Sequence, residues 1–407
     1  MECAEFGGRK REVEFLLGAM RQSLVAGGEY LASRRFPSGP IGHDRNLNYI
    51  HKAVWGMYAG GVDHSIIAEV LDWVEREALQ PNGDFYFPEE PPEYQVMQRA
   101  YRPLTFLKVA VWIGHPLARN RKVIERLFQY QHASGGCFNY IGENPAVIEE
   151  RPTLGTLNSS FFGHLMVYLG EQERAIRTGD FLVRFVEANR PHMERGLFYT
   201  QMDLQGRLLT DIKPGQAYSS VVDQRLPKQE FWQTGTTQAY LCVLYEAMRD
   251  RWGYSAEQAR PYLDAALALL PFDAAQPLDG YFWPSKCKVG WGAGELLRLL
   301  VKYGLGSEQQ IEDAYQVARK VAVHCFMGNQ LDNGGWSAMH YPLSELDPEF
   351  QLSYVPVRGR VLVPQEPIPG VSKLWLPAEE LTGEINGEME AIYRGYLAYH
   401  GWLVERR

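Results

Sequence analysis

The sequence predicts an all-α fold, an (α/α)6 toroid in which six helical hairpins build an inner and an outer ring, with short β-hairpin insertions. Three observations lead there. A glycine followed within two residues by an aromatic recurs at Gly83/Phe85, Gly136/Phe138, Gly196/Phe198, Gly280/Phe282 and Gly335/Trp336, at intervals of about 53 to 84 residues that suit two helices plus loops. An aromatic just ahead of a glycine ends six apolar runs, at Tyr58/Gly60, Trp112/Gly114, Tyr168/Gly170, Trp252/Gly253, Tyr303/Gly304 and Tyr399/Gly401, where glycine supplies a left-handed helix cap. Segments that are apolar nearly all round alternate with segments that are apolar on one side only.

The all-round apolar runs place inner helices at about 44–60, 96–114, 154–170, 232–250, 288–304 and 380–403. The one-sided segments place outer helices at about 9–32, 64–80, 117–133, 172–190, 256–270 and 307–327. In the second of these, Leu71, Val74 and Ala78 oppose Asp72, Glu75, Arg76 and Glu77. A ring is preferred over an open solenoid because the aromatic loops all fall on one connection type and gather at one end. Of the long connections, 195–231 reads as a short hairpin turning at Asp203–Gly206, and 332–377 carries seven prolines; both are expected as rims within a single domain spanning 1–407.

Composition narrows the function. Apolar residues make up 45% of the 407, enough for a large core, and aromatics 13%. A net charge of -8, with no basic stripe, argues against nucleic acid as a partner. No window is apolar enough to span a membrane, and the charged first twenty residues suit an amphipathic helix better than a signal peptide, so a cytoplasmic protein is expected. Cys3, Cys137, Cys242, Cys287 and Cys325 are scattered without a CxxC pair, which suits reduced buried thiols, with a zinc site as the alternative. Oligomeric state is not legible.

The segment Gln330-Leu331-Asp332-Asn333-Gly334-Gly335-Trp336 matches the Q-x-x-x-G-x-W repeat of terpenoid cyclases, and 131–138 and 80–85 look like degenerate copies. With the helix alternation, the chain resembles the α/α toroid shared by class II terpenoid cyclases and protein prenyltransferase β subunits. The resemblance implies that the Gln, Gly and Trp tie an outer helix to the next inner helix. It does not carry the chemistry over: no two aspartates are adjacent, so the D-x-D-D acid and the D-D-x-x-D magnesium motifs are both missing, and the prenyltransferase zinc ligands have no matching positions.

Parallel inner helices would direct their N-termini at the mouth of a central cavity, so polar residues there are the candidates. Asp44, Asn48 and His51 share a face of the first inner helix, where Asp44 is either an acid or simply an N-cap. Glu380, Glu384 and Glu388 form an i, i+4 stripe that must be balanced by a proton or a cation if buried, and Glu384 is the acid–base candidate among them. Trp291 and Glu295 lie one turn apart; Glu295 is either a proton donor beside an indole or the partner of Arg298 or Arg99. Asp223, ahead of the fourth inner helix, is a candidate mobile acid. Arg99, Tyr101, Asn158, Trp232, Gln233, Trp291 and Trp336 are candidate substrate contacts together with Asn48 and His51, and Phe138 and Phe198 could join the aromatic wall.

There is no P-loop, no dinucleotide fingerprint, no G-x-S-x-G and no H-E-x-x-H, so neither a cofactor nor a metal is expected. The leading expectation is a cofactor-independent cyclase, isomerase or lyase acting on a mostly apolar terpenoid or polyketide intermediate. The alternatives are a carbohydrate-active hydrolase, lyase or epimerase using the same ring, and a non-catalytic binding module.

Overall fold

Both classes of segment fold as helices. The computed structural model describes residues 2–36, 41–42, 47–89, 99–138, 141, 152–211, 220–226, 229–282, 284–336, 352–356, 360–364 and 378–405. Among these lie twelve α-helices: α1 (Glu2–Ser33), α2 (Leu47–Ala59), α3 (His64–Ala78), α4 (Tyr101–Ile113), α5 (Arg121–Tyr130), α6 (Thr156–Leu169), α7 (Gln172–Met193), α8 (Trp232–Asp250), α9 (Ala256–Ala274), α10 (Cys287–Tyr303), α11 (Glu308–Lys320) and α12 (Ala378–Glu405). The even-numbered helices are the inner ring and the odd-numbered the outer. Inner helices pack on one another in chain order, and α12 packs back on α2, so the ring closes. Outer helices close it too: Arg9 and Glu12 of α1 pair with Glu312 and Arg319 of α11, each at 2.6 Å. An open solenoid is thereby excluded.

The glycine-aromatic loops are the ring's clasps. Gln131, after α5, donates to the Arg174 carbonyl and to Thr178 Oγ1 of α7 at 3.0 Å each, while Cys137 N donates to Ser159 of α6 at 2.9 Å. The loop after α11 repeats this across the closure. Gln330 donates to the Ser23 carbonyl of α1 at 2.9 Å, and Trp336 N donates to Thr382 of α12 at 2.8 Å. Both loops need glycine at positive φ and without a side chain: a Cβ on Gly135 or Gly334 would lie 2.1 or 2.3 Å from a carbonyl oxygen of α7 or α1. The tethering role implied by the repeat is what these contacts do.

Gly114, Gly170 and Gly304 cap α4, α6 and α10 at φ 73, 79 and 63°. Gly401 does not end its helix, because stacking of Trp402 on Tyr399 and burial of Leu403 carry α12 on to Glu405. The expected turn at Asp203–Gly206 is present, closed by Gly206 N on the Asp203 carbonyl. Its flanks pair more widely than one hairpin: β2 (Leu197–Tyr199) joins β4 (Val221–Asp223), and β3 (Gln201–Met202) joins β1 (Leu154–Gly155), which tethers this insertion to the start of α6. A last hairpin, β5 (Leu352–Pro356) with β6 (Arg360–Pro364), lies in the proline-rich connection. No described helix is long and apolar enough to cross a membrane.

Candidate active site

The inner helices begin at one end of the ring, and polar side chains from all six meet there. Thr156, the first residue of α6, hydrogen-bonds Gln233 of α8, whose amide donates to Glu230 at 3.2 Å. The chain just before α8 is fixed to the start of α10 by Phe231 N on Ser285 Oγ and by Ser285 on the Gln229 carbonyl, at 3.2 and 2.5 Å. From α10, Lys288 pairs with Glu384 of α12 and lies 3.0 Å from Glu388. Lys52 of α2 joins the same glutamates, 2.9 Å from Glu380 and 2.6 Å from Glu384. Tyr101, the first residue of α4, places its ring 5.7 Å from the Lys52 ammonium.

The glutamate stripe is therefore buried, and two lysines provide the compensation it demands. Three carboxylates share two ammonium groups, and Glu380 Oε2 is buried without a hydrogen bond. Cys287 lies with Glu384 and Glu388 in a cluster of metal-ligand type, all three buried. Its geometry suits the lysine better than an ion: the Lys288 ammonium already touches both carboxylates and lies 3.8 Å from the Cys287 sulfur. Burial pushes the Cys287 thiol well up, towards its neutral form.

A half-buried glutamate at the rim has the acidity suited to proton transfer. Burial raises the Glu230 carboxyl to about 7, against the opposing pull of the Gln233 hydrogen bond. Behind it, burial pushes Asp273 up and Lys286 down, and Asp273 accepts from Thr234 at 2.8 Å.

One to two turns deeper the lining becomes aromatic. Trp55, Phe161 and Trp291 meet edge to face with ring centres 5.3 to 6.0 Å apart, His164 stacks on Trp291 at 4.9 Å, and Tyr101 closes on Phe161 at 4.4 Å. Lys108 stands among them, its Nζ 3.4 Å from the centre of the Trp55 ring. His51 is buried beside Tyr101, its Nδ1 2.7 Å from the Leu47 carbonyl oxygen, and burial followed by the Lys52 charge holds its pKa well below the usual histidine range.

The expected site residues separate accordingly. His51, Tyr101, Gln233 and Glu384 join the mouth; Trp232 is the first residue of α8, Asn158 lies in the first turn of α6, and Trp291 belongs to the aromatic floor. Asp44 and the side chain of Asn48 lie outside the described residues. Glu295 takes the second of its two expected roles, pairing with Arg298 at 3.0 Å and also with Arg394 at 2.8 Å, which argues against a proton donor there. Asp223, the last residue of β4, forms a two-pronged pair with Arg225 just beyond the strand, which lowers its pKa and argues against the expected mobile acid.

Arg99 is committed to the protein itself, stacked 3.9 Å over Tyr86 and 3.6 Å from Asp84. Trp336 is fully buried with its indole N–H on the Phe326 carbonyl, Phe198 packs against Phe185 and Phe272, and Phe138 meets His132; none of them belongs to the central aromatic cluster. Sequence reasoning missed Glu230, Lys52 and Lys108. The two lysines had a signal, since each is a lone cation inside a run that is otherwise apolar.

No family model matches the chain, and no curated protein matches it. Among solved structures, a glycosyl hydrolase family 88 protein from Bacteroides vulgatus aligns over 95% of this chain and 99% of its own at 11% identity and TM-score 0.49. A polysaccharide lyase aligns over 94% and 98% at 13% identity and TM-score 0.44. A GH76 α-mannanase from Bacteroides thetaiotaomicron aligns over 88% and 86% at 13% identity and TM-score 0.41. Likenesses at this level decide nothing about chemistry, and the reading of the site rests on its residues.

Proposed function

We propose that the protein is an enzyme performing acid–base chemistry on a hydroxylated, carbohydrate-like small molecule at the mouth of the inner ring, as a hydrolase, lyase or epimerase. The observation that carries this reading is the concentration of charged and hydrogen-bonding groups at the starts of the inner helices, one to two turns from a cluster of aromatic rings. Hydroxyl groups would find donors and acceptors in Thr156, Gln233, Lys52 and Lys288, and a sugar face would stack on the rings below. A mostly apolar substrate would have to desolvate that rim without replacing its water. Glu230 is the proton-transferring group. Near neutral pH its carboxyl populates both forms, which suits a general acid or base.

The aromatic floor favours a second reading, the cyclisation or isomerisation of a terpenoid or polyketide, because rings can shelter a developing cation. A panel of oligosaccharides, uronic acids, polyprenyl compounds and polyketides, followed by mass spectrometry, separates the two. Turnover of a carbohydrate is expected. Glu230→Gln should then lower kcat by roughly 10² to 10⁴ with little change in KM and remove the limb of the pH profile near neutrality. Turnover confined to apolar compounds, or full activity in the variant, would overturn the assignment.

A further inference from the structure

Lys108 has no part in the rim; like Lys286 it is a buried lysine set over aromatic rings, but the charge of Asp273 supports Lys286, whereas Lys108 stands among four rings. It is buried in the third turn of α4, and its Nζ has no hydrogen-bond partner. Four rings surround it instead: Trp55 at 3.4 Å, Phe161 at 5.0 Å, Trp112 at 5.1 Å and Trp291 at 5.4 Å. His164, stacked flat on Trp291, also has a buried ring nitrogen, Nε2, without a partner. Two nitrogen groups able to carry or pass a proton therefore stand unsatisfied at the floor of the mouth. Core packing alone would be served better by a methionine.

We propose that Lys108 is a nucleophilic amine that forms an imine with the carbonyl carbon of a small aldehyde or ketone bound on the aromatic floor. This extends the acid–base reading by naming a carbonyl group in the substrate, and it rests on that reading's placement of the site at the mouth.

The chemistry balances without an oxidant or reductant. The Nζ lone pair attacks the carbonyl carbon, a C–N bond forms, and the carbonyl π electrons move to oxygen, which takes up the proton that nitrogen loses. The carbinolamine then breaks its C–O bond as the hydroxyl takes the remaining nitrogen proton, one water leaves, and the nitrogen lone pair closes the C=N bond. His164, which shares the Trp291 and Phe161 rings with Lys108 and has an unpartnered Nε2, would pass the proton from nitrogen to oxygen.

Burial, the largest influence, pushes the Lys108 pKa well below its usual value. Lys288 and Arg394 add to that, while Glu388 and Glu390 oppose it. From α6 the only titratable neighbour identified is His164, itself held well below its usual range by burial. Burial thus pushes Lys108 towards the neutral, nucleophilic amine, against the attraction of the rings for a cation.

The experiment incubates the intact protein with glycolaldehyde and sodium cyanoborohydride at pH 7 and maps the reduced adducts by peptide mass spectrometry. An ordinary lysine exposes a free amine about once in a few thousand molecules at that pH. The expected result is an adduct at Lys108 at least roughly 10-fold above that at any exposed lysine, with its share falling as the pH approaches 10 and surface amines deprotonate. Adducts distributed by exposure, with Lys108 unmodified, would overturn the proposal. Wild-type protein suffices, so no variant has to fold. A Lys108 adduct in a protein whose activity survives Glu230→Gln would sink the rim assignment alone; a rim-dependent enzyme with Lys108 unmodified would sink this one alone.

Discussion

Glu230 and Glu246 stand at opposite ends of α8, and the fold drives their acidities in opposite directions. Glu246, at the far end, accepts both prongs of Arg298 at 2.7 and 2.6 Å and Lys302 at 2.6 Å, and these cations pull its pKa to about 2 against the opposing effect of burial. Glu230, at the mouth, has a neutral amide as its hydrogen-bond partner and rises to about 7. The same contrast runs round the ring. At the far end Glu246, Glu295, Arg298, Lys302 and Arg394 neutralise one another in a network of short contacts. At the mouth, three buried carboxylates share two lysines and several buried polar atoms have no hydrogen bond. Completed pairs mark the far end, and incomplete ones mark the end where the proposed chemistry would take place.

The largest expected effect comes from breaking the mouth's charge balance. Lys288→Met keeps most of the volume but leaves buried Glu384 to Lys52 and takes from Glu388 the lysine it pairs with, which should cost about 3 to 5 kcal/mol in urea denaturation. Adding Glu384→Gln should restore part of that loss. A single variant that loses under about 1 kcal/mol would show that the cluster is not coupled as described.

Cutting a completed pair at the other end should cost less and depend on pH. The depressed Glu246 pKa contributes stability that is present above about 4.5 and lost as the pH falls from there towards 2. After allowance for solvent screening, about 1 to 2 kcal/mol is expected. Glu246→Gln should remove that acid-range dependence in thermal melts between pH 2 and 6. Glu230 has the opposite sign: its raised pKa favours the folded state below about 4.5 relative to higher pH, and this is lost as the pH rises through about 7, so Glu230→Gln should flatten the neutral range.

How far this contrast was legible in the sequence depended on the range of the interaction. Loop glycines and helix periodicity are local requirements of the backbone, so the twelve helices and the Gln330 to Trp336 clasp were readable directly. The Glu380, Glu384, Glu388 stripe was visible through i, i+4 spacing, and its need for a counter-charge followed from like-charge repulsion. Its partners were harder to see. Lys52 is 328 residues from Glu380 and 332 from Glu384 in the chain, and no local pattern joins them. Trp336, and the choice between the two roles left open for Glu295, turn on a related limit: sequence can place a residue on an inner helix or its feeding loop, whereas Phe326, Arg298 and Arg394 decide what it does there. Glu230 was invisible because its acidity comes from burial among neighbours that the fold brings together.

The smallest expected effect tests a correction. Asp223 looked suitable as an acid reaching over the cavity, yet Arg225 grips it at 2.8 and 2.5 Å, and its pKa is lowered first by that hydrogen bond. An acid held ionised by a neighbouring guanidinium is a poor proton donor at neutral pH. The pair is partly exposed, so Asp223→Asn should change stability by about 0 to 1 kcal/mol and leave kcat within about twofold. A fall in kcat of roughly 100-fold in that variant, with an unchanged melting temperature, would restore Asp223 to the chemistry. It would also move the reactive centre from the rim between α6 and α8 towards the β2–β4 insertion, and the division into a structural end and a chemical end would have to be redrawn around it.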